Sequence, residues 1–377
     1  MKKIQMVDLQ SQYRRFKTEI DAAIHEVLDS SAYINGPAVK GFQAALEEYL
    51  GAKAVIPCAN GTDALQIALM ALDLAPGDEV IVPSFTYVAT AEVAALLRLS
   101  IVMVDVDPQT FNLRAEDVEA AITPQTKAIV PVHLFGQSCD MQPIIELAEK
   151  HQLYIVEDNA QAIGADYSFP NGEQKKTGLL GHIGCTSFYP SKNLGAYGDG
   201  GAIFTNDEAL ADKIRMIANH GQNRRYYHDR VGVNSRLDGI QAALLHVKLK
   251  ALDEFSAARQ KAADYYDAAF AELEEVQTPY RAPYSSHVFH QYTLLVPADQ
   301  RDALQAHLQA AEVPCMIYYP LPLHEQAAFE GFARKAKAEL PNTEMLCQQV
   351  ISLPMHSELE ADQLVYVAEQ VKAFFKK

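Results

Sequence analysis

Apolar and polar positions change their period along this chain, and the changes divide it. Residues 18 to 50 read as helical, with a break near Asn35-Gly36-Pro37 and a stop at Gly51. From there, short apolar runs alternate with helical stretches. Ala54 to Cys58 predicts a strand, and the helix opened by Thr62 puts Leu65, Ala68, Leu69 and Leu72 on one face. Pro76-Gly77-Asp78 turns into a strand over Glu79 to Val82, followed by a helix from about Tyr87 to Arg98 and a strand over Ile101 to Val104. A helix near 115 to 122, a strand over Ala128 to Leu134, a helix marked by Met141, Ile144, Ile145 and Ala148, and a strand over Leu153 to Val156 continue the series. Strands spaced by helices of this length imply an α/β fold with a mostly parallel sheet covered on both faces.

The pattern loosens after a helix at 207 to 219. Asn219 to Arg236 is polar and basic, and Ile240 to Leu252 is again helical. From about 255 the chain reads as α+β. A long helix runs to about 273, a strand covers Val288 to Val296, and a helix carries Leu304, Leu308 and Ala311. A short strand over Val350 to Leu353 precedes a last helix with Leu364, Val367, Ala368 and Val371. The expected organisation is a large α/β domain over 1–250 and a small α+β domain over 251–377.

Composition narrows the classes. With 377 residues, 49% of them hydrophobic, the chain can bury a large core. It has no run of eighteen apolar residues, and MKKIQMVDLQSQYRRF lacks the apolar centre of a signal peptide. Cys58, Cys139, Cys185, Cys315 and Cys347 are odd in number and contain no CxxC, which predicts reduced thiols, no metal site and a cytoplasmic protein. The net charge of −16 disfavours nucleic acid and anionic lipid as partners, so an anionic substrate would need a local basic patch. Arg224, Arg225, Arg230 and Arg236 make the one dense basic stretch, interleaved with Tyr226, Tyr227, His220 and His228.

Three signals sit at the ends of predicted strands, where open α/β sheets bind ligands. Ala59-Asn60-Gly61-Thr62-Asp63 is a strand-to-helix turn, and a helix N-terminus offers free N–H groups to a phosphate; the plainer reading is a helix cap by Thr62. Val156-Glu157-Asp158-Asn159-Ala160-Gln161 ends an apolar strand with a carboxylate, the acceptor that a protonated pyridine nitrogen needs. Lys192 follows Pro190 and Ser191 and precedes Gly195, Gly198, Gly200 and Gly201, which makes a tight loop between two apolar runs. A lysine held there in a dry pocket would lose basicity and attack carbonyls, whereas on an open surface it would be an ordinary cation. A phosphate cup, then a carboxylate, then a loop lysine together describe a pyridoxal-phosphate site. His287 and His290 flank an alternating strand and read as part-buried rather than ligating, and the lack of GxGxxG near Ala52 to Cys58 argues against a dinucleotide-binding dehydrogenase.

CANGTDAL, PSFTYVATAE, VEDNAQ, SFYPSKNLGAYGDGGAIFTND and GVNSRLDGIQAA resemble the nucleotide-sugar aminotransferases of the DegT family, and the likeness runs from MVDLQSQY to ISLPMH. The resemblance implies the fold type I architecture of the aspartate-aminotransferase-like enzymes, with a mostly parallel seven-stranded sheet in the large domain. It implies that Lys192 carries pyridoxal 5′-phosphate covalently and moves the proton, the amine form being pyridoxamine phosphate. Asp158 would pair with the pyridine nitrogen and Gln161 with the ring hydroxyl, Tyr87 would stack on the ring, and Gly61, Thr62 and Ser187 would hold the phosphate. Asn234 would reach that phosphate from a second subunit, which implies a homodimer with shared sites. Lysine rather than histidine at position 192 favours transamination over dehydration. In finer detail the chain resembles enzymes that use L-glutamate to aminate the 3-keto group of a UDP-2-acetamido-2-deoxy-hexuluronate in polysaccharide synthesis. Tyr33, Ser191, Arg236, Tyr318 and Tyr319 match the sugar-contacting positions there. Two other readings stand beside this one: amination of another keto sugar, such as a dTDP-3- or 4-keto-6-deoxyhexose, and a non-catalytic regulator on the same fold.

Overall fold

The computed structural model describes residues 2–337 and 339–376. Its centre is an eight-stranded sheet. In spatial order the strands are Ala54–Cys58, Gly201–Thr205, Ile183–Ser187, Tyr154–Asp158, Thr126–Ile129, Glu79–Pro83, Ser100–Val104 and Ala333–Lys335. Gly201–Thr205 runs against both of its neighbours, and the other strands run one way. The architecture is that of PLP fold type I, with a large mixed α/β domain and a smaller C-terminal α+β domain. The eighth strand is a three-residue piece contributed from late in the chain, beyond the seven expected from the large domain.

Helices cover both faces because the strands are apolar on both. On one side Leu65, Ile67, Leu69, Val93 and Ile214 pack against Val80, Val82, Ile101 and Ile203. On the other, Ile144 and Leu147 pack against Ile81, Val102, Ile129 and Ile155, while Phe42, Leu46, Leu244 and Leu245 pack against Val55 and Phe204. The C-terminal part has its own core. Helices Leu252–Phe270, Arg301–Ala310 and Ala361–Phe375 close over the antiparallel pair Tyr292–Leu295 and Val350–Leu353, burying Tyr266, Phe270, Leu294, Leu308, Ile351 and Val367. No helix among the described residues is long and apolar enough to cross a membrane.

The register of the sheet gathers the candidate residues. Cys58 and Ser187 both lie opposite Gly201, and Asp158 lies opposite Cys185. The loops after Cys58, Pro83, Asp158 and Ser187 therefore leave the sheet at one edge, where ligands of such sheets bind.

Candidate active site

The turn after Cys58 is built for a close approach. Asn60, not Thr62, caps the helix Gly61–Ala71: its side chain accepts from the Asp63 N–H at 2.8 Å. Thr62 is thus released from the capping role that its sequence position suggested. A Cβ on Gly61 would come within 2.7 Å of the Ser187 Cβ, so only glycine lets these two strand ends meet. The N-terminus of the helix, with Thr62 in its first turn, thus meets the strand end at Ser187, a donor set suited to a phosphate.

Asp158 ends its strand buried, at 5% exposure. Its Oδ2 accepts from the Thr90 hydroxyl at 2.7 Å and its Oδ1 from the Ala160 N–H at 3.1 Å. Both bonds fix the plane of the carboxyl group. Thr90 is fully buried in the first turn of the helix Ala89–Leu96. The adjacent Glu157 points to the other face of the sheet. It accepts from Gly178, Leu180 and Gly181 N–H groups at 2.7, 2.7 and 2.6 Å and lies 2.8 Å from His133 Nε2, which braces the strand end from behind.

Lys192 lies in a loop pinned from several sides. Its N–H donates to the Tyr189 carbonyl at 2.8 Å, Ala196 N–H to Phe188 at 2.7 Å, and Asn193 Nδ2 to the Val288 carbonyl at 2.9 Å. From below, the buried Lys248 ammonium donates to the Gly195 carbonyl. Protein surrounds the Lys192 amine, although the residue keeps some accessible surface. Burial pushes its pKa down to about 8, while the Asp158 charge pulls the other way. At pH 7 about a tenth of such an amine is neutral, against about 0.03% at the ordinary lysine value. His290 is buried nearby, with Nδ1 unpartnered and its pKa held well below the ordinary value by burial, then by Lys192 and Arg259.

Gln161 accepts from the Phe135 N–H at 2.7 Å and donates to the Tyr319 hydroxyl at 3.2 Å. Tyr319 packs edge-on to Phe85, with centroids 5.9 Å apart, and lies 6.3 Å from the exposed ring of Tyr87. Tyr318 belongs to the same apolar group. These contacts, the sheet register and chain adjacency bring Gly61, Thr62, Tyr87, Asp158, Gln161, Ser187, Ser191, Lys192, Tyr318 and Tyr319 to the same end of the sheet.

Three expected residues make none of these contacts, although Ser235, between two of them, accepts from the Ala59 N–H at 3.0 Å. The Tyr33 carbonyl accepts from Gly239 N–H at 2.6 Å and Ile34 bridges Asp238, so Tyr33 is brought beside the segment carrying Arg236. Arg236 lines a cavity of about 220 Å³ with Asn35, Gln43 and Arg215, and it makes no ion pair among the described residues. Asn234 is exposed and bridges Asn219. The rest of the basic stretch is engaged locally: Arg224 lies 3.7 Å over the Tyr227 ring, Arg225 lies over Tyr226, and Arg230 pairs with Asp73. Thr90, Glu157 and Lys248 escaped the sequence reading. Each is a buried polar residue in a mostly apolar element, which is the signal that could have marked it.

The profile of the DegT/DnrJ/EryC1/StrS aminotransferase family matches residues 14–372. The chain is 50% identical to the UDP-2-acetamido-2-deoxy-3-oxo-D-glucuronate aminotransferase of Pseudomonas aeruginosa, over 95% of this chain and 96% of that protein. It is 46% identical to a protein of Geobacillus stearothermophilus named pleiotropic regulatory protein, over 99% of each. Among solved structures it superposes on S. venezuelae DesV in complex with a ketimine intermediate with a TM-score of 0.95, 39% identity and 100% coverage of both chains. Sequence, fold and the arrangement of the strand ends agree, and this chain belongs to the DegT/DnrJ/EryC1/StrS aminotransferase family.

Proposed function

We propose that the protein is a pyridoxal-phosphate-dependent aminotransferase that moves the amino group of L-glutamate to the 3-keto group of a UDP-linked 2-acetamido-2-deoxy-hexuluronate. The observation that carries this reading is a lysine amine made nucleophilic by burial beside a carboxylate held by Thr90, at one edge of the sheet. The cofactor fits the residues present: the Gly61–Ser187 approach leaves a cup with donors, and Asp158 is an oriented acceptor. Gly61, Thr62 and Ser187 would hold its phosphate, Asp158 its ring nitrogen, Gln161 its hydroxyl, Tyr87 its face, and Lys192 its aldehyde carbon. When bound, the cofactor supplies an electron sink for the carbon that gains or loses the amine.

The chain's own part is to bind, orient and move protons. Asp158 would keep a positive charge on the ring nitrogen, Lys192 would move the proton at the reacting carbon, and Tyr319 holds Gln161 in place through its hydroxyl. Arg236 and Tyr33 would grip the anionic end of the nucleotide sugar, with Ser191, Tyr318 and Tyr319 on the sugar itself. Asn234, exposed on the single chain, would complete the phosphate site of a partner in a homodimer. The uronate reading rests on the half-identical P. aeruginosa enzyme. The regulatory name of the G. stearothermophilus relative motivates a non-catalytic alternative. Glutamate with a panel of UDP- and dTDP-linked keto sugars, uronate and neutral, tests the reading. Turnover greatest with the UDP-3-keto-uronate supports it. Preference for a dTDP-keto-deoxyhexose overturns the substrate, and no turnover with any sugar favours the regulator.

A further inference from the structure

Away from Lys192, the loop after Glu79–Pro83 meets the late part of the chain at a histidine. Ser84 is fully buried; its carbonyl accepts from the Leu323 N–H at 3.0 Å and its hydroxyl lies 2.7 Å from His324 Nδ1. The His324 side chain is only 6% exposed, and its other nitrogen, Nε2, is aimed at two carboxylates. Glu344 Oε1 is 3.6 Å away and Glu325 Oε1 is 3.9 Å away, too far for hydrogen bonds. Neither glutamate pairs with a lysine or arginine among the described residues. One ligand atom from each of the three residues falls within 4.8 Å of the others.

An imidazole nitrogen without a hydrogen bond, on a side chain that is otherwise buried and facing two carboxylates without a lysine or arginine partner, is a set of donors lacking its centre. Around an ion with bonds of about 2.0–2.2 Å, neighbouring ligand atoms stand roughly 3–3.5 Å apart. The observed separations are slightly wider, and side chains of exposed Glu325 and part-exposed Glu344 can close them. Donation of the Nδ1 proton to Ser84 would leave the Nε2 lone pair facing the carboxylates, the outer bond that metal-bound histidines usually make. One imidazole with two carboxylates suits a first-row transition ion better than Ca²⁺ or Mg²⁺, which take oxygen ligands.

We propose that His324, Glu325 and Glu344 form a divalent-metal site of the Zn²⁺ type, with Ser84 orienting the histidine. The sequence reading expected no metal site on the strength of the cysteines, which contain no CxxC, and of His287 and His290; it did not single out His324, Glu325 or Glu344, whose spacing follows no recognised ligand motif. The ion is a brace. It ties the turn Leu323–Glu325 and the helix Pro341–Gln349 to the segment Ser84–Tyr87, and so steadies the stretch that carries Tyr318 and Tyr319.

The test uses full-length, cofactor-loaded protein without a histidine tag, titrated with Zn²⁺ by calorimetry and followed by thermal melting. The expected result is one site per chain and a rise in melting temperature with Zn²⁺. In Glu325→Gln/Glu344→Gln the affinity should fall by about 100-fold and the melting shift should vanish, and Ser84→Ala should weaken binding by roughly 10-fold. The double variant alters only the solvent side of the site, so its fold is expected to survive, checked by circular dichroism. No Zn²⁺ binding by the wild type overturns the proposal, and so does binding that the double variant leaves unchanged.

Discussion

Asp158 is held by the Thr90 hydroxyl at 2.7 Å and the Ala160 N–H at 3.1 Å rather than by a cation, and Thr90 is its one side-chain donor among the described residues. Thr90→Val keeps the shape and removes the donor. A hydrogen bond to a charged group contributes about 1.5–3 kcal/mol, and each ~1.4 kcal/mol is tenfold in rate. Turnover of Thr90→Val should fall by roughly 10- to 100-fold with the fold intact, measured by steady-state kinetics beside circular dichroism; an unchanged rate would remove Thr90 from the account. Lys192 makes a second prediction. With its pKa near 8, attachment of pyridoxal phosphate to apoprotein should speed up about tenfold per pH unit below 8 and level off above it. Asp158 favours the charged amine, so Asp158→Asn should move that inflection to lower pH. An inflection near the ordinary lysine value in the wild type would contradict the buried-amine reading.

At the scale of elements, the loop that carries Lys192 rests on the helix Gly239–Leu249 through the buried Lys248 and through Gln241, which accepts from the Tyr197 N–H at 2.8 Å. Lys248→Met keeps bulk and leaves the Gly195 carbonyl unsatisfied, at a cost of about 1–3 kcal/mol in urea unfolding. Burial, and then Arg259, depress the Lys248 pKa to about 7. Between pH 7 and the unfolded value the unfolded chain binds more protons at this residue, so it makes stability rise with pH there; below 7 its penalty is full. The methionine variant should lose that part of the slope. The order of strands and helices was legible in the sequence because most strands of the central sheet are apolar on both faces and turns are punctuated by Gly and Pro. Shorter pieces were not: Ala333–Lys335 is a strand only because Ser100–Val104 offers a free edge, and Tyr292–Leu295 is shorter than the apolar run from Val288 because Val288 bonds to Gly136 instead. Gly61, Asp158 and Lys192 could be picked out because loops at strand ends expose their chemistry. Thr90 and Lys248 could not, since nothing in the sequence tells which polar residue of a mostly apolar helix faces inward until its partner is seen.

For the whole molecule, the charge of −16 makes an uncompensated arginine significant, and Arg236 is one. Arg236→Ala should raise the KM for the keto sugar by about 10- to 100-fold and leave the half-reaction with glutamate nearly untouched. Equal damage to both halves would make Arg236 a support of the fold instead. The proposed sharing of sites between two subunits makes a further prediction: Lys192→Ala and Asn234→Ala, each inactive alone, should recover activity when mixed and reassembled, because a heterodimer would hold one intact site. Verified heterodimers without recovered activity would place Asn234 in its own chain's service. All of this depends on Lys192 being the point of attachment, and one measurement reads that directly. Protein loaded with pyridoxal phosphate, reduced with borohydride, digested and analysed by mass spectrometry should carry one phosphopyridoxyl group on the peptide containing Lys192. A label on Lys248 or another lysine, or no stable label at all, would contradict the account.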